Sequence, residues 1–271
     1  MITSNSNQQM KNLTALLSKA KERKKQKCFV VEGAKMVFEA PFGQIQKVYV
    51  SESYESCPDN KKALLQLQEA VRKIQPDFFY EVVADSVFKS VSDTQTPQGI
   101  MAVVQMPEYE FKDLLKGDQT QLLILESIQD PGNLGTMFRT GEGAGVTGVL
   151  MNKTTVDLFN PKTIRSTMGS IYRVPFYVTE DLQESLEQLK QKGVQLYAAH
   201  LKGKAMYDEF DYTTACGFLI GNEGNGLSNE TADLADTYIK IPMEGKVESL
   251  NAGVSAALLM YEANRQRRRK A

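Results

Sequence analysis

The chain has 271 residues, 42% of them hydrophobic and 24% charged, which suits one large or two ordinary packed domains and excludes a disordered chain. Its start has no apolar signal-peptide core and its longest apolar runs, 122–125 and 256–260, are too short to cross a bilayer, so a soluble, cytoplasmic protein without membrane partners is expected. The net charge of −1 hides an asymmetry: residues 1–35 carry +6, the tail 265–270 carries +5, and the remainder is near −12. Both basic segments could neutralise phosphates, or could equally be solvated helix ends.

In chain order, residues 8–27 read as a helix with a basic second half, followed by a strand over 28–33, a helix over 34–40 and a strand over 45–51. Leu64, Leu67, Val71 and Ile74 fall on one helical stripe. A strand is predicted over 77–83, and a turn then a strand over 96–106. This small α/β unit (1–106) is joined by a polar linker (107–120) to a region of regular strand–helix alternation (121–271). There, strands are predicted over 121–127, 147–151, 174–178, 194–199, 216–221 and 237–241. Helices are predicted over 133–144, 161–170, 182–192, 229–235 and 250–264, the last apolar nearly all round and therefore buried. Such alternation implies an α/β fold, a mainly parallel sheet with helices on both faces.

Cys28, Cys57 and Cys216 are sparse and show neither a CxxC motif nor metal-ligand spacing, so no zinc site and no structural disulfide is expected. His200 is the only histidine and reads as structural. The run from Gly143 to Gly148 fits GxGxxG, but it lies after a helix and before a strand. A dinucleotide fingerprint needs the reverse order. It reads as a helix cap and turn, which disfavours a nucleotide-dependent oxidoreductase.

Three other segments each follow a predicted strand, on the edge where open α/β sheets bind ligands. They are 130–140, 220–228 and 241–251. Singly, each has a structural reading: Asn133 and Gly135 open a helix, Arg139 pairs with a surface acid, and Ser228 or Ser249 caps a helix. Together they place glycines that permit close backbone approach beside a carboxylate (Glu223), a guanidinium (Arg139) and the polar groups of Ser249 and Asn251.

In order and spacing, these segments resemble the three motifs of the SpoU (TrmH-type) RNA 2′-O-methyltransferases of the SPOUT superfamily. The first is Asn133-x-Gly135-x-x-x-Arg139-Thr140, the second Gly221-x-Glu223-x-x-Gly226-Leu227-Ser228, and the third Ile241-Pro242-Met243 with Ser249-Leu250-Asn251. The segment 165–170 is also similar to that family, whereas Gly141 departs from its usual alanine. Phe29–Gly33 and Thr96–Ile100 resemble the ribosomal-protein-like substrate-binding domain of rRNA-modifying members.

The resemblance implies a C-terminal trefoil knot, a homodimer, and S-adenosylmethionine as methyl donor with no metal. It places the cofactor against Leu219, Gly221, Asn222, Ile241, Met243 and Leu250, and the RNA against Lys24, Lys25 and Arg165. Among the catalytic residues Arg139, Asn133, Glu223, Ser249 and Asn251, the family's proposed base is Arg139. A guanidinium is effectively always protonated. Gripping a phosphate and stabilising developing alkoxide charge is therefore an easier role, with Asn133 and Glu223 orienting it. Ribosomal RNA is the implied substrate, with transfer RNA as the alternative. A non-catalytic RNA-binding protein of the same fold is the rival reading.

Overall fold

The computed structural model describes residues 1–270, without the side chain of Lys270, so Ala271 and the tip of the basic tail lie outside it. The chain divides into two compact units, residues 1–107 with 159–172, and residues 108–158 with 173–271. The return of 159–172 to the first unit is not visible in the strand–helix alternation.

In the first unit, α1 (Gln8–Ser18), α2 (Ala20–Gln26), β1 (Cys28–Glu32) and α3 (Ala34–Phe38) precede β2 (Ile45–Ser51). Then come α4 (Glu52–Ser56), α5 (Pro58–Arg72), β3 (Glu81–Val83), α6 (Asp85–Val91) and β4 (Ile100–Gln105). The sheet order is β1-β4-β2-β3, with only the β2–β3 pair parallel. The single helix expected over 8–27 is broken at Lys19, which is extended (φ −123°, ψ 110°). Arg23, read from sequence as part of a basic run, is instead buried, and its guanidinium donates to the carbonyls of Leu16 and Leu17 at the end of α1. Those carbonyls have no partner within their own helix. Met10, Leu13 and Leu16 of α1 join the core of this unit. Lys24 and Lys25 are exposed. The strand expected over 77–83 shrinks to three residues because Phe78 turns back onto Gln75, and Ile74 lies past the end of α5, where it is exposed.

The second unit holds β5 (Gln121–Leu125), α7 (Pro131–Ala144), β6 (Gly148–Asn152), β7 (Phe176–Thr179) and α9 (Leu182–Gln191). It continues through β8 (Gln195–Ala199), β9 (Ala205–Met206), β10 (Cys216–Ile220), α10 (Asn229–Ala232), β11 (Thr237–Lys240) and α11 (Ala252–Lys270). Helix α8 (Pro161–Thr167), which lies between β6 and β7 in the chain, belongs to the first unit. The seven strands run in the order β7-β6-β5-β10-β8-β11-β9, and every pairing is parallel. All residues of β5 and β10 are buried, so both faces of the sheet's centre are covered. Leu182, Leu186 and Leu189 of α9 cluster with Leu122, Ile124, Leu196 and Leu219. Ala256, Leu259, Met260 and Ala263 of α11 are likewise buried. Gly145 ends α7 with φ +79°, so the GxGxxG run is a helix cap.

Two expectations are corrected. Helix α11 is not buried all round, because Val254, Leu258 and Tyr261 form an exposed apolar stripe at helical spacing. The basic tail is not simply a free polycation, since it continues α11 and Arg267 turns inward. Its guanidinium donates to the carbonyls of Gln119, Thr120, Tyr212 and Thr214, which begin or precede the central strands. Arg265 is held by Glu262, while Arg268 and Arg269 are exposed. Among the described residues no helix is long and apolar enough to cross a membrane.

Hydrogen bonds from a charged donor contribute about 1.5–3 kcal/mol each in favourable cases. Arg267→Ala is expected to lower unfolding free energy by about 2–3 kcal/mol in chemical denaturation, and Arg268→Ala by less than about 0.5 kcal/mol.

Candidate active site at the carboxyl edge of the parallel sheet

Because all strands of the second sheet run the same way, the segments leaving β5, β8, β10 and β11 emerge on one edge. These are 126–130, 200–203, 221–228 and 241–251. Three of them, 126–130, 221–228 and 241–251, are linked through the Glu223 carboxylate. One of its oxygens accepts the backbone N–H of Asp130 (3.0 Å) and the Asn133 side-chain amide (3.0 Å), and the other accepts the N–H of Gln129 (2.9 Å). Asn133 in turn accepts from the Asn251 amide (2.9 Å). The Asn251 oxygen accepts the N–H groups of Gly253 and Val254, capping α11. One chain of hydrogen bonds thus links the first turn of α7, the loop after β10 and the start of α11. Burial pushes the Glu223 carboxyl upward. The donors on Asn133, Gln129, Asp130 and its own N–H outweigh that push and hold it below the ordinary 4.5.

The glycine-rich loop is shaped by its own backbone. A side chain at Gly221 would stand 2.1 Å from the carbonyl carbon of Gly226, so only glycine fits. Asn222 ties the loop, accepting from the N–H groups of Gly224 and Asn225 and donating to the Ser127 carbonyl. At its far end Glu126 receives the N–H and hydroxyl of Ser228 and the hydroxyl of Thr231.

Beside this loop lies a cavity of about 250 Å³. Its walls include Gly221, Asn222, Glu223, Ile241, Met243, Ser249 and Leu250 of the sequence-predicted residues. Leu219, also predicted against the cofactor, is instead fully buried in β10 and is not a wall of the cavity. Asn133 and Asn251 reach the site through the Glu223 network rather than as wall residues. Ser249 is exposed, and no hydrogen bond of its side chain is found among the described residues. Arg139 also lies outside the walls. It is exposed, two turns inside α7, and makes neither a hydrogen bond nor an ion pair among the described residues, so Glu223 and Asn133 do not hold it here. Arg165 lies in the first unit, paired with Asp93 (2.9 Å), beside a cavity of about 190 Å³ that Lys35 also lines.

Sequence reasoning missed Ala199, His200 and Leu201, which form another wall. Their signal was positional, since they end a parallel strand next to β10.

The walls suit a nucleoside-bearing methyl donor. Ile220, Leu227, Ile239, Ile241 and Leu250 offer an apolar slot, and the 221–226 backbone can approach a ligand without side-chain obstruction.

This chain belongs to the SpoU rRNA Methylase family, whose model matches residues 120–261, while residues 7–102 match the MRM3-like substrate binding domain. It is an RNA methyltransferase that takes its methyl group from S-adenosylmethionine. Among its relatives, the 23S rRNA (guanosine(2553)-2′-O)-methyltransferase RlmP of Bacillus subtilis (strain 168) is 34% identical over 96% of this chain and 97% of its own length. The structure of an AdoMet-bound rRNA methyltransferase from Sinorhizobium meliloti aligns with a TM-score of 0.83 at 27% identity, covering 97% of both chains. A structure described as an RNA 2′-O ribose methyltransferase aligns with a TM-score of 0.80 at 30% identity, covering 98% of each.

A carboxylate whose pKa is depressed on folding stabilises the fold above its unfolded value and ceases to do so as pH falls through the folded value. Wild-type stability is therefore expected to lose an increment as pH falls below about 4.5. Glu223→Gln lacks that increment, so the stability difference between the two proteins in denaturant titrations narrows as pH falls from 6 to 3.

Proposed function

We propose that the enzyme methylates a ribose 2′-hydroxyl of 23S ribosomal RNA in the cytoplasm, the first unit binding RNA and the second carrying the chemistry. The observation that carries this reading is the Glu223–Asn133–Asn251 network, which gathers all three motif segments beside the apolar cavity. The printed activity of the RlmP relative supports the ribose oxygen and the ribosomal substrate.

Bound in the cavity, S-adenosylmethionine supplies a methyl group that is already activated, so the protein's task is placement and charge stabilisation. Backbone groups of Gly221, Asn222 and Ile241, with Met243, Leu250 and the end of β10 at Leu219, hold the adenosine portion. Ser249 faces the ribose. Arg139 grips the phosphate next to the target ribose and stabilises negative charge growing on the 2′-oxygen, a role its permanent charge permits. Lys24, Lys25 and Arg165 contact RNA phosphates in the first unit. Recognition of the 2′-hydroxyl selects RNA over DNA.

Arg139 reaches this site through dimerisation. Along α7, Thr136 and Gly143 approach Gly253 and Tyr261 of α11, and helical spacing puts Arg139, three residues after Thr136 and four before Gly143, on that side of α7. The adjoining stripe of Val254, Leu258 and Tyr261 is exposed in the monomer. Pairing two copies through it buries the stripe and brings a guanidinium toward a cavity. The segment after residue 216 threads an earlier loop as a trefoil knot, in keeping with the adjacency of β5, β10 and β8.

Tritiated methyl transfer is expected to favour ribosomal over transfer RNA and to give alkali-resistant linkages. Arg139→Ala should reduce turnover at least 10²-fold, the scale for loss of one charge-stabilising donor, with S-adenosylmethionine affinity within a few-fold. Near-normal turnover removes Arg139 from the mechanism, and alkali-sensitive product removes the ribose oxygen.

A further inference from the structure

His200, the one histidine of the chain, stands where a strand of the parallel sheet opens into the cavity wall. Its ring lies tilted against Tyr238, with 4.9 Å between centroids and 34° between planes, and its Nδ1 accepts the backbone N–H of Lys202 (3.1 Å). Its own N–H is fixed to the Ile239 carbonyl, and its carbonyl accepts from Gly203. The turn is tight, since a side chain at Gly203 would stand 2.9 Å from the carbonyl carbon of Ile239 and 3.0 Å from the His200 carbonyl oxygen. Leu201, carried at the tip of this turn, is 60% exposed and lines the cavity.

Only a neutral imidazole can accept at Nδ1. A proton there sets two donors against each other and removes the side-chain bond of the turn. Burial, then the Lys202 ammonium on the same turn, push the imidazole below its usual 6.5, with Asp233 opposing. Asp233 is already engaged by the Tyr238 hydroxyl from the packed strand. The other charged groups on the cavity walls are Glu223, Lys240 and Glu248.

We propose that His200 is a positioning residue for the methyl donor: its neutral ring ties the 200–203 turn into one wall of the cavity, and protonation releases that wall. This rests on the assignment of the cavity to S-adenosylmethionine and adds to it a control by pH.

The test is calorimetric titration of the full chain with S-adenosylmethionine at pH 7.0, 6.0 and 5.0. The donor's α-amino group, near 7.7–8.0, titrates above this window. Wild-type Kd should rise at least fivefold from pH 7.0 to 5.0. In His200→Asn the amide oxygen can accept the same Lys202 N–H as an Asx turn but carries no titrating proton. That variant should bind within a few-fold of wild type at pH 7.0, with a Kd that changes less than twofold across the range. A wild-type Kd independent of pH, or an equal rise in His200→Asn, overturns the role of His200 while leaving the cofactor assignment intact. Failure of the wild type to bind at pH 7.0 overturns the assignment of the cavity, and the role of His200 with it.

Discussion

A single carboxylate decides the shape of this site. Glu223 accepts two backbone N–H groups and a side-chain amide from the segment that opens α7, about ninety residues away in sequence. Those N–H groups precede or begin a helix, where intrahelical partners are lacking and negative charge is favoured. The carboxylate thus satisfies the helix and is itself kept ionised by it. Through Asn133 the same contact extends to Asn251 and the start of α11.

Such a clamp requires that distant chain segments arrive together, and the parallel sheet provides this. Strand β5 lies beside β10, and β10 beside β8, so their carboxyl ends deliver the motif loops to neighbouring positions. Arg267 fastens the opposite edge of the sheet, bonding carbonyls that precede β5 and β10. One end of α11 therefore holds the fold, while the other is capped by Asn251 and tied through Asn133 to Glu223.

The motif residues were legible in sequence because their chemistry is conspicuous: a carboxylate in a glycine loop and asparagines at helix starts. Six strands of the second unit were legible from hydrophobic alternation with helices, whereas the two-residue edge strand β9 was too short to leave a pattern. What escaped were tertiary effects. Arg23 and Arg267 counted as free positive charge by composition, yet both spend their donors on helix-end or strand-start carbonyls. Val254 and Leu258 of the exposed stripe read as core because apolar composition does not say which face finds a neighbour. The 159–172 segment packs with the first unit, which local pattern cannot report. His200 was invisible as a site residue because its significance lies in what the turn after β8 stands next to.

The central claim is that Glu223 and Asn251 act as parts of one network rather than as separate contributors. A double-mutant cycle on methyl transfer, with Glu223→Gln, Asn251→Ala and the pair, measures this directly. Residues in one hydrogen-bond network couple by about 0.5–3 kcal/mol, whereas independent sites add. The account predicts that the double variant loses far less activity than the product of the single losses. Single losses that simply multiply would contradict it.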